Sequence, residues 1–193
     1  MNGLLYRSVK LYELLMLLLY GNELNEIVEL IKLFVRPGFS VLELCCGNGW
    51  LAGLIECKSY KGFDCCEVFV LSALRKGLNV ECVNVEELPC FPESDVVVML
   101  NSLYEFNNPE LVVERMIESA NKLVIISEPV CNVVHGSNWL AKFFGFLLEG
   151  RQVVDNKFDE KKLRNFFKKH GFQYIVKTGR NLTGIMVLAG LIG

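Results

Sequence analysis

The sequence predicts an α/β protein built on an open, doubly wound, mostly parallel sheet. Three observations predict it. Strand-like and helix-like segments alternate along most of the chain. The runs 40–44 and 95–100 are almost entirely apolar, as strands covered on both faces should be. The stretch Val41-Leu42-Glu43-Leu44-Cys45-Cys46-Gly47-Asn48-Gly49 joins the first of those strands to a glycine turn.

Composition bounds the answer. The 193 residues suit one domain over 1–193, and 52% apolar content is ample for a core. A net charge of −2 argues against a general nucleic-acid binder, which would need a basic surface. The eight cysteines show no C-x-x-C spacing, so no zinc site is expected. Cys45-Cys46 and Cys65-Cys66 are adjacent. Neighbouring Cα atoms lie ~3.8 Å apart, below the roughly 4.4–6.8 Å of a disulfide. The cysteines read as small buried hydrophobes in a reducing, cytoplasmic setting. The run 11–20 is very apolar but carries Glu13. It is about half the ~20 residues needed to cross a bilayer, so no transmembrane segment is expected. No cleavage site follows it, so no secretory signal is read either.

The elements follow in order. A helix fills roughly the first 20 residues and breaks at Gly21-Asn22. A second helix presents Leu24, Ile27, Val28, Ile31, Phe34 and Val35 on one face and stops at Arg36-Pro37-Gly38. Segment 1–36 thus holds two N-terminal helices. The strand 40–44 leads through the turn to a helix opening near Trp50. A strand over 60–64, a helix over 67–76 ended by Gly77, and a strand over 78–83 come next. A loop with Pro89 and Pro92 precedes the strand 95–100. Asn108 caps a helix with Pro109 in its first turn and Val112, Val113, Met116, Ile117 and Ala120 as its buried stripe. The strand 122–127 closes at Glu128-Pro129. Segment 130–157 interrupts the alternation as an inserted lid, with an aromatic-rich helix over 139–148. Asp159 caps a last helix that turns Leu163, Phe166 and Phe167 inward and stops at Gly171. Its lysines and Arg164 alternate with acids and read as a solvated face, with His170 in the last turn, where positive charge is favoured. Strands over 172–177 and 184–191 end the order.

In doubly wound sheets, ligands sit beyond the carboxyl ends of the strands. Glu43 is costly to bury, so it should emerge at its strand end beside a cationic partner such as a ligand's ammonium group. Gly47-x-Gly49-x-x-Ala52 fits a dinucleotide fingerprint, but an acid just before the first glycine would repel pyrophosphate. Asp64, after the second strand, can accept two ribose hydroxyls from a nicotinamide or an adenosyl ligand alike.

The 41–49 stretch resembles motif I of the class I S-adenosylmethionine-dependent methyltransferases, with Cys45 where the first glycine usually stands. Asn84-Val85-Glu86-Glu87-Leu88-Pro89 through Asp95-Val96-Val97-Val98 resembles that family's Asp-Ala-Glu-x-Leu-Pro-Phe … Phe-Asp-Val-Val segment, with Asn84 in place of the aspartate. Segment 101–110 resembles its Leu-His-His-Phe-x-Asp-Pro stretch, with Tyr104 and Glu105 at the histidine positions. Arg115 matches the start of a further run whose Pro-Gly-Gly is here Ser119-Ala120-Asn121. The best likeness is to type-11 or ubiquinone/menaquinone-biosynthesis methyltransferases. It implies a seven-stranded Rossmann-like sheet with one antiparallel strand, and S-adenosylmethionine as cofactor. Cofactor residues implied are Glu43, Cys45, Gly47, Asn48, Gly49, Asp64, Cys65, Asn84, Val85, Asn101 and Ser102. Val85 would offer backbone N–H to the adenine, and Asn101 would reach the methionyl part. Tyr104, Glu105 and His135 would face the acceptor. Two histidines in all are no obstacle, because a base is needed only for acceptors that bind protonated. The expected acceptor is a small apolar or aromatic molecule, since 137–148 is apolar nearly all round; a homodimer contact is the other use of that segment. Rival readings are a nicotinamide-dependent oxidoreductase and a non-catalytic subunit that binds S-adenosylmethionine or a protein.

Overall fold

The structure is a computed structural model, and it describes residues 9–130 and 158–188, with no side-chain account of 12 and 15–22. His135, Cys131 and the aromatic-rich segment 139–148 lie outside the described residues. Seven strands form one sheet: β1 (Ser40–Leu44), β2 (Ser59–Asp64), β3 (Val80–Cys82), β4 (Ser94–Leu100), β5 (Ala120–Pro129), β6 (Tyr174–Thr178) and β7 (Asn181–Val187). Their order is β3-β2-β1-β4-β5-β7-β6. The strands β1 to β5 pair in parallel, while β7 runs antiparallel to both β5 and β6. The antiparallel strand therefore ends the chain's order of strands but lies inside the sheet.

Among the described residues, four α-helices cover the sheet: α1 (Val9–Lys32), α2 (Glu67–Arg75), α3 (Pro109–Ser119) and α4 (Glu160–Lys169). Strand alternation sorts the core into two layers. On one face Leu42, Leu44, Val97, Met99, Val124 and Ile126 pack with Val112, Val113 and Met116 of α3 and with Leu163, Phe166 and Phe167 of α4. On the other face Val41, Val96, Val98, Leu123 and Ile125 pack with Ile27, Val28 and Ile31 of α1. The caps form where their residue types place them. The Asn108 side chain accepts from Leu111 N, and Asp159 accepts from Lys162 N.

Two expectations are corrected. No break occurs at Gly21-Asn22: α1 is one helix of 24 residues, not two. A glycine inside a helix costs only ~1 kcal/mol relative to alanine, and tertiary contacts on either side outweigh that. Arg180 Nε donates to Glu23 Oε1 at 2.7 Å, and Asn48 Nδ2 donates to Glu13 Oε1. The helix expected from Trp50 is also absent. A single 3-10 turn, Leu51–Gly53, stands there, with Leu51 buried in the core. The buried stripe of α1 covers the face that a helix after β1 would have covered.

The fold depends on one close approach in β7. A Cβ on Gly184 would lie 2.9 Å from Phe167 Cγ and Cδ2 and 2.9 Å from Phe172 Cδ1. Phe167 is fully buried and packs beside Phe172 at a ring distance of 4.9 Å. Gly184→Ala is expected to destabilise the protein by about 2 kcal/mol through overpacking, read from urea unfolding with an unchanged slope.

Candidate functional site

The carboxyl end of β1 opens into a turn with three left-handed residues at alternate positions: Cys45 (φ 57°), Gly47 (φ 56°) and Gly49 (φ 73°). The backbone that the first glycine would adopt is thus kept by a cysteine, at a cost of roughly 1–2 kcal/mol. Cys46 N donates to Phe63 O at 2.9 Å, which carries the β1–β2 pairing into the turn. The two glycines serve different ends. A Cβ on Gly49 would stand 2.2 Å from Leu78 Cδ1, so Gly49 lets the turn pack against the α2–β3 connection. A Cβ on Gly47 would meet nothing within 4 Å. Gly47 therefore presents bare backbone to open space.

Two carboxylates flank that space from adjacent strands. Asp64, 7% exposed, closes the turn: Oδ2 accepts from Gly47 N and Oδ1 from Cys66 N, both at 2.8 Å. Burial pushes its carboxyl up, and these two backbone bonds work against the shift. Glu43 does not emerge at the strand end. It is 4% exposed, and the Tyr60 hydroxyl donates to its Oε2 at 2.5 Å. Gly62 makes room, since a Cβ there would lie 2.7 Å from Cys46 Sγ and 3.0 Å from the Tyr60 oxygen. Burial pushes the Glu43 carboxyl up to about 8, with the Tyr60 hydrogen bond opposing and Asp64 adding to the rise. Its partner is a phenol on the neighbouring strand, not a cation.

Asn48 is buried and turns away from the cradle toward α1, donating to Glu13, while Lys76 Nζ donates to Asn48 O at 3.1 Å. Lys76 also pairs with Glu13 at 3.6 Å. At the other end of the sheet, Glu23 pairs with Arg180 in the β6–β7 turn, where a Cβ on Gly179 would touch it. The two anchors are ten helical residues apart, or ~15 Å at ~1.5 Å per residue. From β7 past β5 and β4 to β1 is three strand spacings, or ~14 Å at ~4.8 Å each. α1 therefore runs across the carboxyl edge from the hairpin to the glycine turn.

The remaining edge comes from β3, β4, β5 and β7. Asn84 is exposed and caps the 3-10 turn Val85–Glu87, and Val85 is buried. Asn101 takes a left-handed φ of 54° and its N donates to Ser127 O at 2.7 Å. Its side-chain oxygen accepts from Asn181 Nδ2 at 2.6 Å. Asn181 and Thr183 also donate to Ser127 Oγ at 3.2 Å and 2.9 Å. Ser102 Oγ donates to Leu100 O. Tyr104, half-buried, and Glu105, exposed, sit on the 3-10 turn Leu103–Glu105. Burial pushes the half-buried Cys45 thiol up, and Asp64 and Glu105 reinforce it; burial and the same two acids push the exposed Cys65 thiol up to about 11.

One residue escaped sequence reasoning. Glu128, fully buried at the end of β5, accepts from Leu103 N at 2.8 Å and so supports the turn that carries Tyr104 and Glu105. Burial pushes its carboxyl well up. The available signal was an acid closing an apolar strand, akin to the carboxylate inside an apolar strand that singled out Glu43. The seven described cysteines are free thiols, and no group of His, Cys, Asp or Glu among the described residues could hold a metal. No helix among the described residues is long and apolar enough to cross a membrane. Three basic residues of α4 pair with acids, as Arg164–Glu160, Lys162–Asp159 and Lys169–Glu110, and Lys177 of β6 joins Glu160.

A seven-stranded sheet of this order, with a glycine turn after β1 and an acid ending β2, is the class I methyltransferase fold. The model of the family described as methionine biosynthesis protein MetW matches residues 25–143, more than half of the chain, and the chain belongs to that family. No curated protein matches it by sequence. Among solved structures, DhpI in complex with S-adenosylhomocysteine superposes with a TM-score of 0.69 at 15% identity, covering 97% of this chain and 94% of that one. A S-adenosylmethionine-dependent methyltransferase from Thermotoga maritima gives 0.64 at 18% identity, with 94% and 97% covered. Magnesium protoporphyrin IX methyltransferase from Synechocystis, with bound S-adenosylhomocysteine, gives 0.61 at 18%, with 86% and 84% covered. At such identities the likeness is one of fold.

The raised Glu43 carboxyl makes stability depend on pH. A group protonated more readily in the folded than in the unfolded chain stabilises at low pH and loses that contribution as pH rises, here between about 4.5 and about 8. The protein should be less stable near pH 8 than near pH 5. Glu43→Gln, which can still accept from Tyr60, should shrink that difference by at least about 1 kcal/mol in urea titrations at the two pH values.

Proposed function

We propose that the chain is a methyltransferase that binds S-adenosylmethionine along the carboxyl ends of β1 to β4 and transfers its methyl group to a small molecule. The observation that carries this reading is the open backbone at Gly47 between two buried carboxylates on neighbouring strands. A dinucleotide's pyrophosphate would be repelled there, whereas an amino-acid ammonium suits Glu43 and a ribose diol suits Asp64. Each Asp64 oxygen holds one backbone bond and keeps acceptor capacity for a hydroxyl. The chain residues thus fit the cofactor that DhpI and the Synechocystis enzyme hold in their S-adenosylhomocysteine complexes.

Val85 would bind the adenine through its backbone, Asn84 would stand at its edge without charge, and Cys65 and Ser102 would line the adenosyl part. Asn101, held by Asn181, would orient the methionyl end. When bound, S-adenosylmethionine supplies a methyl group already activated on a sulfonium. The protein's share is to align the acceptor and exclude water. Tyr104 and Glu105 are the groups placed to meet it, and Glu105 can take a proton from an acceptor that binds protonated. The acceptor is read as apolar or aromatic on the sequence of 137–148 alone, and His135 is a further candidate on the same footing. A role in methionine biosynthesis is the physiological setting that the family description suggests.

Isothermal titration tests the cofactor. S-adenosylmethionine and S-adenosylhomocysteine should bind and NADH should not. Pairing with an ammonium ionises Glu43, which lies near 8 and is mostly protonated at neutral pH. Binding near pH 7 should therefore release up to one proton, seen as heats that vary with buffer, and affinity should rise toward pH 8. Gly47→Ala fills the open direction and should weaken binding at least tenfold, roughly 1.4 kcal/mol, with circular dichroism unchanged. Equal affinity in that variant would remove the central claim.

A methylation assay over a broad metabolite panel tests the chemistry, and binding without transfer to any member would favour the non-catalytic subunit. Trp139→Ala and Phe143→Ala should weaken acceptor use while cofactor affinity stays within a few-fold. A charged acceptor as the best substrate would sink the apolar reading.

A further inference from the structure

Glu86 draws together three separate parts of the chain. It sits half-buried on the turn after β3. Its Oε1 accepts from Asn107 N at 2.8 Å and from Asn108 N at 3.4 Å. Its Oε2 accepts from Asn107 Nδ2 at 3.1 Å. Its backbone oxygen accepts from Arg115 Nη1 at 3.1 Å, which reaches back from the second turn of α3. Beneath this polar layer, the buried Val85 and Phe91 of one loop share a core cluster with Leu103 and Phe106 of the other. Hydrogen bonds to a charged acceptor are worth more than neutral ones, and several on one carboxylate act as a single brace.

We propose that Glu86 is a positioning residue that couples the two ends of the site. It locks the turn carrying Val85 to the segment that leads from Tyr104 and Glu105 into α3, with Arg115 as its second hold. The inference rests on the reading above in one respect: Val85 is taken as the adenine contact and Tyr104–Glu105 as the acceptor side. The brace itself does not depend on it. Glu86 touches neither ligand. It sets the spacing between adenosyl and acceptor contacts, so its loss should disturb both at once.

Three variants and two readouts test this. Glu86→Ala removes all three side-chain bonds. Glu86→Gln keeps an oxygen for Asn107 N, and the Asn107 amide can turn over to present its own oxygen to the new amide group. Arg115→Ala removes the second hold without touching the carboxylate. In the unliganded protein, amide hydrogen exchange over both 84–88 and 102–108 should speed up about tenfold in Glu86→Ala and less in Arg115→Ala, and should return toward normal in Glu86→Gln. Exchange in β1, β4 and β5 should not change. By calorimetry, adenosine and S-adenosylhomocysteine should weaken by the same factor, about tenfold, in Glu86→Ala, because the lost restraint acts at the adenine end. Gln should recover most of it. Unchanged exchange over 102–108 in Glu86→Ala overturns the inference. So does unchanged ligand affinity where the native protein binds. A native protein that binds no S-adenosylhomocysteine counts against the methyltransferase reading instead, and the exchange result still decides the brace. A Glu86→Ala chain too unstable to purify leaves the decision to Arg115→Ala, whose unchanged exchange over 102–108 would overturn the proposal equally.

Discussion

The hydrogen bond from Gly47 N to Asp64 Oδ2 is the closure on which the carboxyl edge of the sheet depends. Beyond Leu44 and Phe63 the two parallel strands no longer pair residue by residue. Without a tie, the turn would be free to swing away from β2. The Asp64 carboxylate spans the gap by accepting from both turns at once, and its burial makes each bond stronger than it would be in water. The other irregularities follow. Cys45 must adopt a left-handed backbone to bring Gly47 round, Gly49 must do without a side chain to clear Leu78, and Cys46 returns to pair with Phe63. Local strain at Cys45 persists because the surrounding contacts over-determine it.

The same edge concentrates acids. Glu43, Asp64 and Glu128 are all buried within the ends of neighbouring or near-neighbouring strands, and each carboxyl is pushed up by burial. Each is held differently: Glu43 by a phenol, Asp64 by two turn amides, and Glu128 by the Leu103 amide on Oε2, its buried Oε1 having no hydrogen-bond partner. The arrangement favours positive charge on whatever enters, because a cation would repay a desolvation cost already incurred by the fold.

Much of this was legible in the sequence, where the forces are local. The strands β1 and β4 announce themselves as apolar runs, and Asn108 and Asp159 cap because short polar side chains reach amides three residues on. The glycine turn and Asp64 stand out by residue type and spacing. What failed to show was long-range. Gly21 looked like a stop because the contacts that carry the helix through it join residues 35 and 157 positions apart. Trp50 looked like a helix start because its apolar neighbours are packed into the core by a turn too short to wind. Tyr60 gave no sign that it would meet Glu43, since the pairing depends on parallel register and on the gap above Gly62. The amides that reach Glu86 and Glu128 come from segments 21 and 25 positions away.

The course of α1 has a kinetic consequence. The helix is tied down at two points, at Asn48 and at Arg180. The two ties are unequal. Glu23 is mostly shielded from solvent and meets a guanidinium, whereas Glu13 is about half open to water beside a lysine. Exposed pairs of the second kind hold weakly and loosen with salt. The helix should therefore detach first at its Glu13 end, and raising ionic strength should quicken that detachment more than any at Glu23.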